Sequence, residues 1–221
     1  MQTNHAIIVG CLGALLATHT ATAQTSPLQT ILRPQTLGAQ VAWLEKQIGP
    51  AKTIYGKDRS YSVGGCTLAV QLNPDNSIAN LGLDTLSPTC TLNTQAIGLK
   101  GPAHLLRFKE LTEHIDWKAD AICLFNCGNA ADPLYVLSGE GPRVMQFLEY
   151  KATISDAQAG KAASAFVDEV LSKMTTRQKE HLYENPLQTW IPQASLNTLW
   201  LKHFGQQRVQ SLYFGYRLTQ P

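Results

Sequence analysis

The stretch Cys66-Thr67-Leu68-Ala69-Val70-Gln71-Leu72 decides the fold. Cys66, Leu68, Val70 and Leu72 fall at every second position, so in an extended chain all four side chains leave the same face, as expected of a half-buried strand. Asn73-Pro74-Asp75-Asn76 then supplies turn chemistry, and Ser77 to Leu83 reads as the return strand of a hairpin. Tyr61-Ser62-Val63, just ahead of Gly64-Gly65, reads as an earlier strand.

Upstream of this hairpin the period is helical. Leu37, Val41, Leu44 and Ile48 are spaced by four, three and four residues and share one helical face. Thr36 is the expected N-cap and Gly49-Pro50 the stop. Before them, Gln24 to Gln35 is polar with two prolines and reads as an unpacked, flexible leader.

Downstream, Gly101-Pro102 opens a second half with a helix expected from Ala103 to about Glu113. Cys123 to Pro133 reads as a loop, and Leu134 to Leu137 and Val144 to Thr153 as strands. Capping boxes at Ser155 and Thr175 and a cap at Ser195 predict three helices. In Gln210 to Leu218 the apolar residues alternate again, so a last strand returns to a sheet in the body of the fold. The expected class is α+β, with antiparallel strands covered on one face by helices and stapled by disulfides. The organisation is residues 1–23 as signal peptide, 24–35 as leader, 36–100 as helix plus strands, and 101–221 as an α+β half that could belong to the same unit.

The segment from Ala6 to Ala17 is continuously apolar and precedes Ala21-Thr22-Ala23, the form of a secretory signal with a small-residue cleavage site. It is too short to anchor the chain by spanning a bilayer. Ile8-Val9-Gly10-Cys11 also has the outline of a lipobox, with only a short apolar run ahead of it. Cleavage after Ala23 leaves Cys66, Cys90, Cys123 and Cys127, an even set for an oxidising compartment. Three pairings are possible, of which local spacing favours Cys66 with Cys90 and Cys123 with Cys127. The two-plus-two close spacing of a zinc site is missing.

With 18 basic and 16 acidic residues spread along the chain, a net charge of +2 leaves no footprint for nucleic acid or an anionic membrane. The 44% hydrophobic content is enough for a folded core.

The order of helix, Ile48-Gly49-Pro50, a Tyr-bearing strand, Gly65-Cys66-x-Leu68-x-Val70-x-Leu72, a turn and Ser77-Ile78 resembles the small periplasmic modules of the outer-membrane-assembly lipoprotein and β-lactamase-inhibitor-protein type. The resemblance covers about residues 36 to 85; the long C-terminal half has no counterpart in it. It implies a protein-binding scaffold without an active site. The expected function is an exported, periplasmic, non-catalytic binding or accessory factor whose partner is another envelope or extracellular protein.

No nucleophile elbow, phosphate-cradling loop or cofactor motif is present, and no cofactor or metal is expected. The alternative is a secreted hydrolase using His114, which lies near Glu113, Asp116 and Asp120, or His181, which shares a predicted helical face with Glu184. The expected partner-binding residues are Leu124, Phe125, Asn126, Asn129 and Asp132. A Cys123–Cys127 bridge forces the three residues between into a bulge, on which Phe125 is either an outward knob for a partner pocket or a side chain turned inward.

Overall fold

The computed structural model of the chain describes residues 27–85, 87–90, 92–125, 132–143, 146–181, 187–216 and 218. Residues 1–23, expected from the sequence to be a signal peptide, lie outside them. Among the described residues eight strands form one antiparallel sheet: β1 Thr53–Tyr55, β2 Asp58–Val63, β3 Cys66–Leu72, β4 Ile78–Asp84, β5 Asp116–Ile122, β6 Leu134–Glu140, β7 Glu149–Ser155 and β8 Ser211–Gly215. Their spatial order is β1-β2-β3-β4-β8-β7-β6-β5. Each half therefore starts at an outer edge and meanders inward. The two halves meet where β4 pairs β8, centred on Gly82 opposite Tyr213.

One row of directly paired residues runs through that centre across seven strands: Ser60, Ala69, Gly82, Tyr213, Lys151, Ser138, Lys118. Paired residues share a face, and the face alternates along each strand. The neighbouring row, Arg59, Val70, Leu81, Phe214, Tyr150, Gly139 and Trp117, consequently points the other way. Leu68, Val70, Leu81, Tyr150 and Phe214 on that side are fully buried.

Helices cover the buried side. They are α1 Pro27–Ile31, α2 Val41–Ile48, α3 Phe108–Thr112, α4 Asp156–Ala159, α5 Lys161–Ser172 and α7 Gln193–Phe204, while α6 Thr176–Glu180 buries none of its residues. In α5 the buried residues Ala163, Phe166 and Val170 recur at three and four, and in α7 Leu196, Leu199, Trp200 and Phe204 do the same. The rings of Phe166 and Phe204 lie 5.7 and 4.5 Å from Tyr135 of β6. Phe108 of α3 meets Trp200 edge-on at 4.7 Å. In the first half, Tyr61 of β2 donates its hydroxyl to Glu45 of α2 at 3.1 Å. Cys66 and Cys90 are joined by a disulfide. Cys123 is disulfide-bonded as well, while Cys127 lies outside the described residues. The only four-cysteine pairing question that the described residues answer is thus Cys66 with Cys90.

Several elements differ from the sequence reading. Part of the expected leader folds as α1 and buries Leu28, Ile31 and Leu32. Thr36 does not cap α2, whose N-cap is Gln40; its hydroxyl instead donates to the Ile31 carbonyl at 2.6 Å. The single helix expected from Ala103 is divided into a 3-10 turn, Ala103–Leu105, and α3. Between them Leu106 is extended and its carbonyl accepts from the Val209 N–H at 2.9 Å, so pairing with the segment before β8 overrides helix continuity. The helix predicted from Ser155 breaks at Gly160, whose φ of 51° and ψ of −119° fit no helix. The Thr175 capping box is present, with the Gln178 side chain accepting from the Thr175 N–H at 2.8 Å.

Candidate functional site

The sheet face away from the helices is the candidate site. Its residues at the open-face register positions are mostly short and polar, and the strands leave two adjoining grooves there. One, of about 700 Å3, runs from Asp58 and Gln71 across Tyr213 to Lys151 and Thr153. The second, of about 380 Å3, continues over Lys118, Asp120, Val136 and Ser138. Leu218, just beyond β8, lines both.

The seam between the halves is built from two complementary pairs. The Tyr213 ring lies across Gly82, where a Cβ would collide with it; an aromatic over a cross-strand glycine fills the missing side chain's place. The Asn80 side chain lies likewise across Gly215 and donates to the Gln71 side chain at 2.7 Å. Burial, with the Asp84 carboxylate and more weakly that of Asp58, holds the Tyr213 phenol above its ordinary pKa. Tyr213 therefore stays neutral, and its ring is held by the pairs around it.

The outer edge of β5 is closed by side chains. Asn197 of α7 accepts from the Ala119 N–H at 2.9 Å and donates to the Trp117 carbonyl at 3.2 Å. Gln193 donates to the Ala119 carbonyl at 2.8 Å and to Asn197 at 2.7 Å. Two side-chain amides thus stand where a ninth strand would pair.

Of the residues singled out from the sequence, Asp116 and Asp120 stand on this face. Leu124 and Phe125 are half-buried and pack against the core; Asp132 is exposed, and Asn126 and Asn129 lie outside the described residues. His114 follows α3 and lines a hollow of about 390 Å3 with Leu105, Glu110 and Glu113. Among the described residues its ring makes no hydrogen bond or ion pair. Asp116 and Asp120 do not form a loop cluster beside it: both stand on β5, at open-face positions. His181 is the C-cap of α6, and Glu184 lies outside the described residues. Among the described residues no three His, Cys, Asp or Glu side chains form a metal-holding group.

Sequence reasoning missed β5 and with it one side of the site. The signal was present in Asp116-Trp117-Lys118-Ala119-Asp120-Ala121, which alternates polar and apolar, but two of its apolar positions are alanines and weigh little in a hydrophobic pattern. Comparisons with protein-family models, with curated proteins and with solved structures find no match.

Proposed function

We propose that the chain is an exported, periplasmic, non-catalytic protein-binding factor of the inhibitor, immunity or accessory type, and that it docks its partner on the open face of the sheet. The observation that carries this reading is the grooved sheet face opposite the helices, which no described helix covers and which has a held Tyr213 at its centre. Eight strands about 4.8 Å apart and up to seven residues long span roughly 700 to 800 Å2; within that span Asn80, Val136, Ser138 and Thr153 are buried, and Asp58, Thr67, Gln71, Asp116, Lys118 and Glu140 are exposed.

Export is supported by the apolar N-terminal segment with its small-residue cleavage site, and by disulfides at Cys66, Cys90 and Cys123. Among the described residues no helix is long and apolar enough to cross a membrane. A binding rather than catalytic role is supported by the side chains of the face: none of its strand positions carries His or Cys. The resemblance of residues 36 to 85 to periplasmic binding modules points the same way.

The test is capture of envelope proteins by the mature chain and by Ala69→Arg, which places a long charged side chain on the groove floor. Loss of a specific captured protein, with the melting transition retained, supports the reading. Unchanged capture by Ala69→Arg and by Thr67→Arg refutes it.

A further inference from the structure

The open face is charged against the rest of the molecule. At its strand positions stand six carboxylates, Asp58, Asp84, Asp116, Asp120, Glu140 and Glu149, and two ammonium groups, Lys118 and Lys151. That local balance of −4 belongs to a chain whose overall balance is +2. The one other charged strand residue, Arg59, points to the opposite face.

The arrangement is also ordered. Asp116 pairs directly with Glu140, and Glu140 directly with Glu149, so three carboxylates stand side by side across β5, β6 and β7. Like charges at directly opposed positions oppose sheet formation. Among the described residues Asp58, Asp116 and Glu140 enter no salt bridge. The same row continues to Asp58, and on the other side of the Lys151 and Lys118 row stand Asp84 and Asp120. The cost of setting the exposed Asp116 against the exposed Glu140 is offset when an oppositely charged surface is brought against them.

We infer that the partner docking on this face is a protein segment bearing Lys or Arg side chains around an apolar residue, the cations meeting the two carboxylate rows and the apolar residue meeting Tyr213. This rests on the reading of the open face as the docking surface. Acidic rows steer a basic partner into the grooves and repel acidic competitors, so association weakens with added salt.

The test uses two synthetic peptides that share a central Trp-Leu pair, one flanked by Lys and Arg and its twin flanked by Glu, titrated into the mature chain at low ionic strength and followed by amide NMR. The cationic peptide is expected to bind saturably and to shift Gly82, Ser138 and their open-face neighbours. Asp116→Asn with Glu140→Gln should weaken it by roughly fivefold, as two exposed ion pairs predict, whereas Asp168→Asn with Glu180→Gln, on exposed helical positions and of equal net charge, should not. Equal weakening by both pairs, absence of saturable binding, or preference for the anionic twin overturns the inference. If Ala69→Arg abolishes capture of the envelope partner while Asp116→Asn with Glu140→Gln leaves it intact, the docking face stands and the cationic partner does not. If neither change matters, both readings fall.

Discussion

The ring of Tyr213 of β8 occupies the space beside Gly82 of β4, its directly paired neighbour, at the only seam that joins the two halves of the sheet among the described residues. The pair makes the first half's inner strand depend on β8. Gly82→Ala should therefore cost about 1 to 3 kcal/mol by overpacking. Chemical denaturation checks it, and the cycle with Tyr213→Ala is expected to be strongly non-additive, since removing the ring removes the clash. Additive effects contradict the seam as described.

Closure of the β5 edge by Asn197 and Gln193 predicts a different kind of defect. Asn197→Leu leaves the Ala119 N–H and Trp117 carbonyl without their partner, a loss of about 1 to 3 kcal/mol. It also bares a strand edge. Light scattering should show concentration-dependent association of the variant but not of the parent chain, and a monomeric variant argues against an edge-guarding role.

The Cys66–Cys90 link closes a loop with a sequence separation of 24 between buried cysteines. Replacing both by Ala should lower stability by about 3 kcal/mol through the unfolded chain. The urea midpoint checks this, and an unchanged midpoint disproves the contribution.

Alkali should unfold the protein through its tyrosines. Burial, aided by Glu45, pushes the Tyr61 phenol up to about 12; burial, aided by Tyr216, does the same for Tyr150. Burial together with the Asp156 carboxylate that accepts its hydroxyl raises Tyr135 too. Below about 10, where an unfolded tyrosine keeps its proton, this contribution is complete. Above that the unfolded chain loses protons that the folded one retains, so stability falls as pH rises towards 12. Tyrosinate absorbance should lag and then rise together with unfolding; a smooth titration centred near 10 in a folded protein is the contrary result.

The row Asp116, Glu140, Glu149 predicts that Glu140→Gln stabilises the fold while weakening partner binding. The gain should be about 0.5 kcal/mol, largest at low salt. Thermal melts at two ionic strengths check it, and destabilisation by Glu140→Gln would show that the carboxylate serves the fold.

The strands with strong side chains were legible in the sequence: Cys66 to Leu72 and the terminal Leu212, Phe214 pair alternate plainly, and both lie in the sheet as β3 and β8. Helix ends were less so. At Leu106 helical preference gives way to a tertiary hydrogen bond with the Val209 N–H, a partner that no local pattern shows, and at Thr36 the hydroxyl turns back to the Ile31 carbonyl instead of capping α2. The candidate site was the least legible part. A half-buried strand announces its core residues, whereas its open-face residues, Gly82 and Lys151 among them, read as filler until the register places them in one row. That placement depends on β4 pairing β8 across 124 or more residues of chain, which no periodicity reports.

The most direct measurement is site-specific photocrosslinking in the envelope of the native host. A photoreactive side chain at Thr67 or Lys118, exposed on the open face, should give a discrete crosslinked species of defined mass, and one at Ser164 or Thr198, exposed on α5 and α7, should give none. A crosslink confined to Ser164 or Thr198 would place the partner on the helices and contradict the account.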